Sequence, residues 1–146
     1  MTAGYSGTPL YKKLNLRPGL KVFVVGMPPE VRREIETGGD GVIWVEHGAT
    51  FDAAHLFARK LAELRENIAR VRRTLPAEGF IWASWPKKAS GVASDITEDA
   101  VREVAFAAKL VDVKVCAVSE VWSGLKLVIR LQDRAPARSA RARGGR

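Results

Sequence analysis

The stretch from residue 80 to residue 97 constrains this chain more than any other, because it joins a strongly apolar segment to a loop that could hold a ligand. Residues 80–85 read FIWASW, a short apolar run between Gly79 and Pro86 that is typical of a buried strand. The basic loop PKKASG follows at 86–91, and Thr97 is placed to cap a helix. The sequence therefore predicts a strand, a basic loop and a helix in that order.

Strands and helices alternate along the rest of the chain. Apolar runs predict further strands at 20–25, 42–45, 53–58, 110–118 and 125–131. Apolar residues at helical spacing predict helices at 29–36, 61–75 and 97–108. The order β-α-β-β-α-β-α-β-β predicts an α/β fold, a three-layer sandwich with a mostly parallel sheet that ends in an antiparallel strand pair.

The first strand of the terminal pair alternates in polarity. Val111, Val113 and Val115 are expected on one apolar face, with Lys114 and Cys116 on the other. Cys116 is the single cysteine, which excludes an internal disulfide and a cysteine-based zinc site. Because it lies in an apolar run, we expect it to pack as a small hydrophobic residue.

The length of 146 residues is that of one domain. We expect an N-terminal arm at 1–19, a single α/β domain at 20–132 and a disordered arginine-rich tail at 133–146. The tail contributes +4 of the net charge of +8, from five arginines and Asp133. Its cations predict non-specific contact with the phosphates of a nucleic acid. The tail arginines are Arg134, Arg138, Arg141, Arg143 and Arg146.

Nothing in the sequence suggests a membrane protein. No segment approaches the roughly 20 apolar residues that a membrane helix needs. The N-terminus also lacks the charged start and apolar run of a secretory signal. We therefore expect a cytoplasmic protein without a membrane partner.

Three blocks resemble the signature of a family of short bacterial proteins of unknown function. They are GYSGTPLYKKL at 4–14, SWPKKASG at 84–91 and VWSGLK at 121–126, and the resemblance covers residues 4–131. It implies no particular activity.

The order of elements, together with TLPAEGFIW at 74–82, also resembles the second half of the Rossmann-like methyltransferases that bind S-adenosylmethionine. That resemblance implies a Rossmann-like sandwich, a glycine-rich turn after the first strand and an acidic residue after the second. Gly26 and Glu46 stand at those positions. However, Pro28 and Pro29 remove amide donors from the turn, so we expect no cofactor, with S-adenosylmethionine as the alternative.

The loop after residue 85 is the candidate ligand site. Lys87, Lys88, the Ser90 hydroxyl and the flexible Gly91 precede a helix N-terminus, and together they could hold a phosphate or carboxylate. The alternative is that the lysines are solvated loop charges paired with Asp95 and other nearby carboxylates.

The two histidines suggest no metal site. His55 lies in an apolar strand and is expected to be a core histidine, whereas His47 follows a strand and is expected at the surface. Their spacing fits no ligand pattern, and the cysteine is distant, so we predict no bound metal. Ser84 and Lys87 match a serine-x-x-lysine spacing, but Pro86 between them argues against a nucleophile.

These observations favour a cytosolic binding or regulatory module without catalytic turnover, because no nucleophile or general base accompanies the lysines. The alternative is a small methyltransferase-like enzyme that binds an anionic substrate at the loop carrying Lys87 and Lys88.

Overall fold

The computed structural model describes residues 7–39 and 41–134. The six strands are β1 (Lys21–Val25), β2 (Ile43–Val45), β3 (Ala53–Phe57), β4 (Phe80–Pro86), β5 (Leu110–Ala117) and β6 (Trp122–Ile129). The four helices are α1 (Leu10–Lys13), α2 (Pro29–Gly38), α3 (Leu61–Thr74) and α4 (Glu98–Ala107). None of these helices is long and apolar enough to cross a membrane.

The strands form one mixed sheet in the order β2-β1-β3-β4-β6-β5. Strands β1 to β4 pair in parallel, and β6 runs antiparallel to both β4 and β5. The predicted α/β sandwich with a terminal antiparallel pair is therefore confirmed. Thr97 also caps α4 as predicted, since its Oγ1 accepts a hydrogen bond of 3.1 Å from the Ala100 amide.

Strand β4 lies inside the sheet and is buried along its whole length. Its side chains point alternately into two apolar cores. Ile81, Ala83 and Trp85 belong to the core that packs under α3 and α4. Phe80 and Trp82 belong to the core on the opposite face. A strand that is dry on both faces needs a covering layer on each side, which gives the three layers.

The second covering layer consists of α2 and the N-terminal segment. Leu10, Leu14 and Leu16 are buried there, and the Trp82 indole Nε1 donates a hydrogen bond of 2.9 Å to the Leu14 carbonyl oxygen. Asn15 adopts a left-handed φ of 62° directly after α1, a conformation that asparagine tolerates better than most residues. The part of the predicted arm from residue 10 onward is thus packed against the sheet.

The faces predicted for β5 are only partly correct. Lys114 and Val115 lie on opposite faces as predicted, since they pair with the consecutive residues Lys126 and Leu125, but Val111 pairs with Val128 and does not share the face of Val115. Val113 and Val115 are 53% and 54% exposed, whereas Cys116, assigned to the other face, is buried. The pairing with β6 shifts between Asp112 and Lys114, so Val113 is the extra residue of a bulge at the sheet edge. The prediction that Cys116 packs as a small hydrophobic residue is confirmed. The disorder predicted for the tail concerns residues that, from 135 onward, lie outside the described ranges.

We expect Leu14→Ala to lower the free energy of unfolding by about 2–5 kcal/mol, because it opens a cavity at a fully buried position. Leu131→Ala is the matched control, since Leu131 is 76% exposed and its truncation should cost no more than about 0.5 kcal/mol. Urea unfolding followed by tryptophan fluorescence measures both. Equal midpoints for the two variants would show that the N-terminal segment is not part of the core.

Candidate functional site

A ligand-sized cleft lies where the strand order reverses. The chain passes from β1 to β2 on one side and then places β3 on the other side of β1. Open α/β sheets bind ligands in the crevice at the carboxyl ends of the strands at such a point. Here a cleft of about 790 Å³ is lined by residues 26–30 after β1, residues 57–60 and Glu63 after β3, Val92, and residues 121–122. We call it the switch-point cleft.

The walls of the switch-point cleft are apolar and its rim is charged. The Phe57 and Trp122 rings pack edge to face with centroids 5.2 Å apart. Exposed side chains of both signs lie at the rim, since residues 59 and 60 are basic and residues 30 and 63 are acidic. An apolar body with a few polar groups at its mouth is the usual character of a small-molecule site.

The turn between β1 and α2 approaches β3 closely but offers few donors. Gly26 has a φ of 68°, and a Cβ there would lie 3.1 Å from the Phe57 carbonyl oxygen. Pro28 and Pro29 have no amide hydrogen. The amides of Val31 and Arg32 both donate to the Pro28 carbonyl oxygen at 3.1 Å. The N-terminus of α2 therefore presents a poor anion cradle, as the sequence suggested.

Glu46 lies away from the switch-point cleft. Strand β2 pairs only with the first part of β1, and its last pair joins Val45 to Phe23. Glu46 therefore leaves the sheet before the carboxyl end of β1, and it is not among the residues that line the cleft. The structure does not bring Gly26 and Glu46 together in one cavity.

The loop after β4 is held by its own hydrogen bonds. The Ser90 hydroxyl donates to the Lys87 carbonyl oxygen at 2.6 Å and accepts from the Val92 amide at 3.1 Å. Gly91 adopts a left-handed φ of 81° at the end of a 3₁₀ turn that spans Lys88–Ser90. Ser90 thus uses its only donor to shape the loop, which leaves less of the hydroxyl for a ligand.

Asp95 ties the same loop to the N-terminus of α3. Its Oδ1 accepts a hydrogen bond of 2.7 Å from the Leu61 amide, and its own amide donates to the Arg59 carbonyl oxygen at 3.2 Å. Helix α3 has no side-chain cap from Lys60, so a carboxylate from a distant part of the sequence serves as the cap.

The loop borders two cavities. Lys88, Gly91 and Asp95 line a concavity of about 330 Å³, whereas Val92 lines both this concavity and the switch-point cleft. Neither cavity is lined by Lys87 or Ser90. Of the four predicted anion-binding residues, the structure brings only Lys88 and Gly91 to the same cavity.

His55 is a core histidine, as predicted. It is 3% exposed, its Nε2 shares a hydrogen bond of 2.7 Å with the Ser84 Oγ, and its ring stacks on Phe57 with centroids 4.1 Å apart. Burial lowers its pKa from 6.5 to about 3. His55 is therefore neutral at physiological pH and supports the cleft wall from behind.

The remaining candidate residues form no metal site within the described part of the chain. His47 is exposed and packs the edge of its ring against Phe23 at 6.3 Å. Within residues 7–39 and 41–134, no group of histidine, cysteine, aspartate or glutamate side chains is arranged to hold a metal ion.

Sequence reasoning missed the residues that follow β3. Arg59 and Lys60 stand just beyond the carboxyl end of a parallel strand, which is the same argument that singled out Lys87 and Lys88 after β4. Applied to both strands, the rule would have found them. The contribution of Trp122 to the cleft had no such signal, because it depends on how β6 pairs with β4.

The chain matches one family of proteins and shares its fold with a group of solved structures. The family described as "Protein of unknown function (DUF3052)" matches residues 14–131. No curated protein matches the sequence.

Several solved methyltransferase structures share the fold. A SAM-dependent methyltransferase from Aquifex aeolicus is 13% identical with a TM-score of 0.59, over 83% of this chain and 88% of that one. Magnesium protoporphyrin IX methyltransferase from Synechocystis PCC 6803, with SAH bound, is 11% identical with a TM-score of 0.52, over 83% and 78%. A methyltransferase of calicheamicin biosynthesis, also SAH-bound, is 14% identical with a TM-score of 0.62, over 84% and 52%. At these identities the similarity shows the fold alone.

We expect the buried His55 to make the protein less stable as the pH falls. Its pKa is lower in the folded state, so between pH 6.5 and about 3 the unfolded chain binds more protons and acid favours unfolding. The contribution is complete above pH 6.5, and about 2 kcal/mol of it should be lost at about pH 5. Urea unfolding across this range measures the dependence.

His55→Asn should flatten that pH dependence, because it removes the titrating ring. His47→Asn is the matched control and should leave the slope as it is in the native protein, since His47 is exposed. An unchanged slope in His55→Asn would assign the acid sensitivity to other groups.

Proposed function

The chain belongs to the DUF3052 family of proteins of unknown function and has a Rossmann-like methyltransferase fold, and on this basis we propose that it is a binding module. It holds a small ligand in the switch-point cleft and transfers no methyl group. The observation that carries the proposal is the cleft of about 790 Å³ at the carboxyl ends of β1 and β3, whose lining contains no histidine, cysteine or tyrosine.

The lining of the cleft supports binding without chemistry. It contains no histidine, cysteine or tyrosine, so the general base of any reaction would have to be Glu30, Glu63 or Lys60. All three are exposed residues of the open rim. A catalytic base works best in a site that excludes water, and these side chains lack that setting.

The charges of the rim indicate the kind of ligand. Arg59 and Lys60 can pair with a carboxylate or phosphate, Glu30 and Glu63 can pair with an amine, and the Phe57–Trp122 wall can contact an apolar or ring-shaped body. A zwitterionic nucleoside such as S-adenosylmethionine or its demethylated product SAH has these features. Solved neighbours with SAM or SAH bound make this class the first to test.

The proline-containing turn sets the mode of binding. Because residues 28 and 29 lack amide hydrogens, the ligand cannot be held by a row of backbone donors after β1. The charged side chains that follow β3 take that role instead. This difference from a glycine-rich turn is why we propose binding through Arg59 and Lys60.

Calorimetric titration with S-adenosylmethionine, SAH and common nucleotides tests the proposal, together with an assay for methyl transfer. We expect one of these ligands to bind without methyl transfer, and we expect Arg59→Ala/Lys60→Ala to weaken its binding about tenfold, which is about 1.4 kcal/mol. Arg65→Ala is the control, because Arg65 is an exposed residue of α3 that does not line the cleft. Methyl transfer by the native protein would contradict the proposal.

The alternative, a small enzyme that binds an anionic substrate at the loop after β4, has a narrower basis. Its support is the concavity of about 330 Å³ beside Lys88 and Gly91. In this case Lys87→Ala/Lys88→Ala would abolish binding of the ligand found by titration, and Arg59→Ala/Lys60→Ala would not. The two double variants therefore distinguish the two sites.

A further inference from the structure

Three lysines converge on the face of the sheet that the N-terminal segment covers, at the place where this segment crosses β5 and β6. The Lys114 ammonium donates to the Lys13 carbonyl oxygen at 2.8 Å, and the Lys126 ammonium donates to Asn15 Oδ1 at 2.8 Å. The Lys13 ammonium donates to the Ala117 carbonyl oxygen at 3.3 Å. We call these three residues, together with Lys87, the basic surface.

The oxygen atoms that accept from Lys114 and Lys126 belong to neutral groups, so these two bonds hold the ammonium groups without neutralising them. The segments that build this region, 7–29, 80–94, 113–119 and 121–132, contain no aspartate or glutamate. The closest carboxylate along these strands is Asp112, two residues before Lys114 on β5, and it pairs with Arg102 of α4 at 3.0 Å. An ammonium group has three donors, so Lys114 and Lys126 can each bind a further acceptor besides the oxygen described above.

The charges are close enough to act on one another. Lys114 stands directly opposite Lys126 across the antiparallel pair, an arrangement of like charges that costs stability. Burial, and then the charge of Lys114, lower the pKa of Lys126. Burial raises the pKa of the Cys116 thiol, and the positive charges of Lys13, Lys114 and Lys87 oppose that rise. Because Lys114 and Lys126 repel each other, a bound anion stabilises this pair.

The shape of the region favours an extended anion over a small one. No lysine of the basic surface lines the cleft of about 790 Å³ or the concavity of about 330 Å³, so a single phosphate would find no enclosing pocket among these cavities. The lysines lie instead on two strands and the segment that crosses them. A row of phosphates can contact such a surface at several points at once.

The same face offers little to a lipid surface. Insertion into a bilayer interface needs exposed apolar side chains beside the cations. Of the exposed large apolar residues, Phe106 lies on α4 and Val115 pairs with Leu125, so both belong to the opposite face of the sheet. Neither Phe106 nor Val115 therefore lies beside Lys114 and Lys126, where it could enter a bilayer together with them.

We propose that the basic surface binds the phosphodiester backbone of nucleic acid without reading its sequence. The contact is made by lysines of the folded domain, is separate from the switch-point cleft and does not require the arginine-rich tail. Because it consists of ammonium–phosphate pairs, its affinity falls steeply as salt rises.

The test is fluorescence anisotropy of a labelled DNA duplex with the full-length chain, between about 50 and about 200 mM salt. Lys114→Gln/Lys126→Gln removes two charges but keeps a polar amide donor at each position. We expect weaker binding, and a plot of log affinity against log salt that is flatter by about 1.8, since each phosphate contact contributes about 0.9. Arg65→Gln/Arg73→Gln, on exposed positions of α3, is the charge-matched control and should change neither value.

Arg138→Gln/Arg141→Gln/Arg143→Gln in the full-length chain separates the domain from the tail. We expect Lys114→Gln/Lys126→Gln to lower the affinity for the duplex, and to flatten its salt dependence, by the same amount with and without the tail substitutions. The proposal is overturned if the native protein does not bind the duplex, if only the tail substitutions weaken binding, or if phosphatidylserine vesicles bind while the duplex does not. If thermal unfolding shows that Lys114→Gln/Lys126→Gln does not fold, Lys87→Gln replaces it, because Lys87 belongs to the basic surface and its side chain does not fasten the N-terminal segment. An unchanged salt dependence in that variant also overturns the proposal.

Discussion

The burial of β4 on both faces is the constraint on which the rest of the structure depends. Each side of this strand must be covered, and α3 with α4 covers only one of them. On the other side Trp82 brings a polar indole nitrogen into an apolar core, where an unpaired donor would be costly. The Leu14 carbonyl oxygen satisfies it. This bond ties the N-terminal segment to β4, and the leucines around it complete the layer.

The fold was predictable because its signals are local. The apolar runs, Pro29 at the start of α2 and the Thr97 cap each depend on a few neighbouring residues, and the structure has all of them. The faces of β5 were not predictable, since the bulge at Val113 arises from pairing with β6 and from the position of β5 at the sheet edge. A period of two in the sequence carries no information about one inserted residue.

The candidate site was predictable only in part, for a similar reason. The rule that ligands lie beyond the carboxyl ends of parallel strands leads to the edge of the sheet at which the switch-point cleft lies, and the poor anion cradle after Gly26 follows from Pro28 and Pro29 alone. The cleft itself depends on which strands are neighbours. Because β3 lies beside β1, the residues after Phe57 face the turn after Gly26, and that adjacency exists only in the folded sheet.

The cap that Asp95 provides for α3 has a consequence for ligand selection. A helix N-terminus next to a cleft normally attracts phosphates and carboxylates from solution. Here such an anion must compete with a carboxylate that is attached to the same molecule and therefore present at a high effective concentration. Asp95 therefore occupies the position at the N-terminus of α3 that an anion would otherwise take. An anion can take that position only when the loop after β4 releases the helix.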